Sequence, residues 1–65
     1  MKRHEIQVGA IIKQKSHGKQ TTRIEFIKPD ELGRMRVWIA LNMDDPQYTM
    51  QWTIKDVMKD WELVK

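Results

Sequence analysis

The sequence predicts a mainly β fold: a small five-stranded barrel with one short helix before the last strand. Three observations carry that prediction. Arg34–Leu41 alternates for eight residues, placing Met35, Val37, Ile39 and Leu41 on one face of a strand and Arg34, Arg36, Trp38 and Ala40 on the other. Thr21–Ile27 does the same, with Thr22, Ile24 and Phe26 facing one way and Arg23 and Glu25 the other. After Thr53 the period changes, and Ile54, Val57, Met58 and Trp61 fall at i, i+3, i+4 and i+7, one stripe of a helix. A short chain rich in strands gains from closing its sheet, because closure removes exposed edges.

The elements follow in order. Residues 1–6 are expected as a frayed N-terminal segment of a single domain spanning 1–65. Val8-Gly9-Ala10-Ile11-Ile12 reads as a first strand, with Gly9 marking a bulge or a close backbone approach. Lys15–Gln20 is a turn in which Gly18 supplies conformational freedom. The Thr21–Ile27 strand follows, and Pro29-Asp30-Glu31-Leu32-Gly33 then connects it as a hairpin to Arg34–Leu41. Asn42–Gln47 is a polar loop and Tyr48–Trp52 a short fourth strand. Thr53 with Asp56 makes an Asp-bearing capping box, and Trp52 and Val57 hold the two positions of a hydrophobic staple. Glu62-Leu63-Val64 resumes as the last strand.

Composition bounds the chemistry. A chain of 65 residues has room for one small core. Without cysteine, disulfides and thiolate metal sites are excluded, in keeping with a reducing cytoplasm. Three tryptophans compensate for the small size, since each buries on the order of 200 Å². No apolar run approaches the ~20 residues a membrane span needs, and no apolar segment follows Lys2 and Arg3 as a signal peptide would require. The expectation is a cytoplasmic protein that begins at Met1 and has no membrane partner. Net charge is +3, unevenly spread: residues 1–36 carry +5 and residues 37–65 carry −2. The basic half points to a polyanion partner, and ordinary solubilising charge is the alternative.

The order of four strands, a helical turn and a last strand is that of an SH3-like barrel. On Val8-Gly9, the Thr21–Ile27 hairpin strand, Val37-Trp38, and Ile54–Trp61 leading into Glu62-Leu63-Val64, the chain resembles small SH3-like barrel proteins encoded by bacteriophages and other mobile elements. The resemblance covers residues 8–64 and implies the fold. Many members of that group have no assigned activity.

Catalytic constellations are missing from the sequence. His4 and His17 have no ligand spacing and no paired cysteine, and they read as solvated. Gly18-Lys19-Gln20-Thr21 lacks both the upstream glycine and the hydroxyl residue of a phosphate loop. Asp44-Asp45 reads as a turn. The expectation is a non-enzymatic protein with no cofactor and no specific metal. Trp38 is the exception to a structural reading, since its parity sets it opposite the apolar face. Either a second small cluster formed with the C-terminal turn or the N-terminal segment covers it, or it is an aromatic platform. In the second case Arg34 and Arg36 flank it, Arg23 reaches it from the neighbouring strand, and Lys13, Lys15 and Lys19 form an electrostatic fringe. Stacking on such a platform is worth about 1–3 kcal/mol per base, and arginine adds phosphate contacts. The sequence therefore predicts a nucleic-acid-binding module. The alternative is a protein-interaction adaptor or inhibitor that docks through the Trp38 face or Asp44–Asp45, because Trp and Arg also dominate interface hot spots.

Overall fold

A computed structural model describes residues 1–17, His17 by its backbone alone, and residues 20–64. Five strands, β1 (Ile11–Gln14), β2 (Thr21–Pro29), β3 (Met35–Ala40), β4 (Thr49–Thr53) and β5 (Trp61–Leu63), form one antiparallel sheet in the order β4-β3-β2-β1-β5. Helix α1 (Ile54–Asp60) links β4 to β5. The sheet is open, with β4 and β5 as its edges. Among the described residues, no helix is long and apolar enough to cross a membrane.

The long strand β2 belongs to both halves of the sheet, and a bulge lets it do so. Ile24 lies opposite Ile39, but Phe26 lies opposite Trp38, so Glu25 is the extra residue. A bulge bends its strand and shifts the parity of everything beyond it. Thr22 and Ile24 are buried before the bulge. After it Ile27 faces the core, and Phe26 turns outward, half exposed. The expectation that Phe26 shares a face with Thr22 and Ile24 is corrected by that one residue.

The first strand also lies further along than expected. Gly9 adopts φ +91°, its N–H donates to the Ile24 carbonyl at 2.9 Å, and the Ala10 N–H donates back to the Gln7 carbonyl at 3.1 Å. Val8-Gly9 is therefore a turn that an L side chain would strain, and β1 begins only at Ile11.

Ile6, Ile12, Ile24, Val37, Ile39, Val57 and Trp61 form the core, with Met1, Ala10, Ile27, Trp52, Ile54 and Leu63 packed against it. Each buried aliphatic side chain contributes roughly 1.5–3 kcal/mol. Val37 and Ile39 are buried as the alternation predicts, whereas Met35 and Leu41, at the ends of the run, are about half exposed. Helix α1 takes Thr53 as its N-cap, as its sequence predicts, the Thr53 hydroxyl accepting the Asp56 N–H at 3.0 Å; of the expected capping box this is the half that forms. Val57 and Trp61 bury their side chains, whereas Met58 is partly exposed. Trp52 meets Trp61 edge to face at 5.5 Å.

Residues 1–6 are not frayed. Arg3–Glu5 forms a single 3₁₀ turn, Ile6 is buried in the core, and the Met1 ammonium donates to the Met58 and Trp61 carbonyls at 2.9 Å each. At Met58 it satisfies a carbonyl that the end of α1 leaves unpaired, and at Trp61 it ties the N-terminus to the start of β5.

Candidate functional site

The outer face of β2–β3–β4 carries the candidate site. Antiparallel pairing sets Phe26 opposite Trp38, Lys28 opposite Arg36, and Gln51 opposite Trp38 on the other side. Opposed residues on one face touch, and here the contact is aromatic and cationic. The Lys28 ammonium sits 5.0 Å from the Phe26 ring centroid and 4.9 Å from that of Trp38. Both distances lie within cation–π range. Trp38 stands outside the core cluster, half-buried.

The arginines flanking Trp38 are engaged. The Pro29–Arg34 connection is organised by Asp30, whose Oδ1 accepts the Leu32 and Arg34 backbone N–H groups at 2.9 Å each. Its Oδ2 accepts Arg36 Nε at 3.0 Å and lies 3.4 Å from Arg34 Nε. The Arg34 amide and the Arg36 guanidinium, as donors to the ionised form, hold the Asp30 carboxyl down from 3.8 to about 2. Gly33, at φ +79°, closes the turn by donating to the Asp30 carbonyl. Pro29, Asp30, Leu32, Arg34, Arg36, Trp38 and Gln51 line one open depression.

The remaining expected cations are dispersed. Arg23 donates from Nε and Nη2 to Glu25 at 3.0 and 2.8 Å, so it does not reach Trp38 as a free group. Lys13 pairs with Glu62 across β1 and β5 at 3.4 Å. Lys15 is exposed in a 3₁₀ turn (Lys15–His17), and Lys19 lies outside the described residues, as does the turn glycine Gly18. Asp44 and Asp45 are exposed in a turn where Asn42 Oδ1 accepts the Asp44 N–H at 2.9 Å. Among the described residues, no three His, Cys, Asp or Glu side chains come together.

Sequence reasoning thus names Trp38 and Arg36 but misses Phe26, Lys28 and Asp30. For Phe26 and Lys28 the hairpin contained the signal. Counting back from the Asp30–Gly33 turn puts Lys28 opposite Arg36 and Phe26 opposite Trp38, a register fixed by turn geometry. No protein-family model, curated protein or solved structure matches this chain.

Proposed function

We propose that this chain is a small non-enzymatic binding module that takes single-stranded nucleic acid on the outer face of β2–β3–β4. The observation that carries the reading is the Phe26–Trp38 pair with Lys28 lying across both rings. An incoming base displaces the ammonium and stacks on the indole. The exchange is favourable in magnitude, because an exposed cation–π contact is worth about 0.5–1 kcal/mol and a stacked base about 1–3 kcal/mol. Lysine on its flexible stem then turns to a phosphate. Single strands are favoured over duplex because only they offer free base faces. Several cations near the rings are already neutralised by Asp30 and Glu25, which weakens phosphate attraction alone as a driving force.

The element order supports the finer reading of an SH3-like barrel, which would require β4 and β5 to approach across the open side. A phage or mobile-element origin accompanies that reading. A second function is supported by one observation. Leu41, Tyr48 and Met50 expose apolar surface beside the unpaired edge of β4, and Leu41 and Met50 line a groove of about 180 Å³ with Trp52 and Trp61. This supports a protein-interaction adaptor or inhibitor that binds an extended peptide.

Anisotropy titration of labelled, unstructured DNA and RNA oligonucleotides, beside a duplex of matched length, tests the proposal. Wild type is expected to prefer the single strand, and Trp38→Ala to weaken it by about 1–3 kcal/mol with little change in salt dependence. Phe26→Ala should weaken it in the same direction. If both variants fold and bind as tightly as wild type, the aromatic face is not the site.

A further inference from the structure

We infer that Asp30 is an internal stand-in for a nucleic-acid phosphate, holding Arg34 and Arg36 in place until a strand on the Trp38 face exchanges with it. The inference rests on the nucleic-acid reading above and adds a regulatory residue to that site. Two backbone N–H groups and two guanidinium groups converge on this one carboxylate. Converging amides and guanidinium groups are the donor set by which proteins hold phosphate oxygens.

The two oxygens divide the work. Oδ1 serves the backbone of the turn, and Oδ2 serves the side chains. The guanidinium groups can therefore leave Oδ2 while the turn stays closed on Oδ1. They differ in freedom, the Arg34 side chain being 63% exposed and that of Arg36 20%. Arg34 is the arm that swings to a phosphate, and Arg36 remains beside Trp38. Arg36 and Trp38 sit two residues apart on the same strand face, about 6.6 Å along β3, so a strand stacked on the indole runs past both arginines. While Asp30 is ionised it also repels phosphate, so weak or misplaced strands do not win the exchange.

Asp30→Asn tests this, because the amide oxygen still closes the turn while the charge is gone. With the unstructured oligonucleotide, the variant is expected to bind roughly 2- to 30-fold more tightly at low salt, as freeing two ion-paired groups at the surface predicts. The slope of log K against log salt should stay close to that of wild type, because the same arginine reaches phosphate in both chains. In the chain that keeps Asp30, Arg34→Gln should flatten the slope by about 0.7, a change that holds even if Asp30→Asn folds poorly. A folded Asp30→Asn with unchanged affinity makes Asp30 a turn former only and overturns the inference. An Arg34→Gln slope equal to wild type does the same. In both results a Trp38-dependent wild type leaves the nucleic-acid reading intact. Absence of single-strand binding by wild type and Asp30→Asn alike removes both.

Discussion

Asp30 shows how one side chain can order a loop, neutralise its neighbours and set a pH response at once. Its carboxyl falls to about 2 in the folded chain from an ordinary 3.8. A depressed carboxyl stabilises the folded state above its unfolded value and loses that contribution as pH falls through the folded one. The stabilisation from Asp30 is therefore present above about pH 4 and disappears toward about pH 2. Thermal midpoints measured across that window should drop more steeply for wild type than for Asp30→Asn. Parallel curves would mean that the contacts to Asp30 do not persist in solution. Nothing in the spacing of the sequence marks this residue. Asp30 and Arg36 are six positions apart, a separation that means nothing until a hairpin folds them together.

At the scale of elements, what is local was legible and what depends on a neighbouring strand was not. Helix α1 announces itself through a cap and a period contained within Thr53–Trp61, and it forms where they place it. Replacing Thr53 by Ala removes the acceptor for the Asp56 N–H and should cost about 1 kcal/mol, read as a lower urea midpoint at unchanged slope. A midpoint equal to wild type would show the helix held by packing alone. Strand β2 is the contrary case. Its alternation predicts one continuous inner face, but Glu25 is inserted without a partner, and a bulge leaves no mark in hydrophobic parity until the register with β3 is known. That single insertion moves Phe26 from the expected core to the surface beside Trp38. Similarly, Gly9 was legible as special, but only its positive φ reveals a turn instead of a strand.

Over the whole molecule the basic and acidic halves of the sequence do not form two separate surfaces. Strand β5, from the acidic half, lies beside β1 from the basic half, and Lys13 meets Glu62 across them. The candidate site owes its character to geometry more than to net charge. The core is small, so its largest member matters to everything. Trp61→Ala should cost about 3–5 kcal/mol, against a total of about 3–10 kcal/mol for a chain of this length. The expected result is a largely unfolded chain at 37 °C by circular dichroism, and a near-normal melting curve would remove Trp61 from the core. The three indoles are also divided by environment. Trp52 and Trp61 lie edge to face on the interior side, and Trp38 sits outside under a lysine. The protein thus carries two native optical reporters. The excitonic circular dichroism of the inner pair is expected to follow folding, and a change in total tryptophan emission at unchanged circular dichroism is expected to mark a ligand stacked on Trp38, so the proposed binding and unfolding can be told apart in one unlabelled sample.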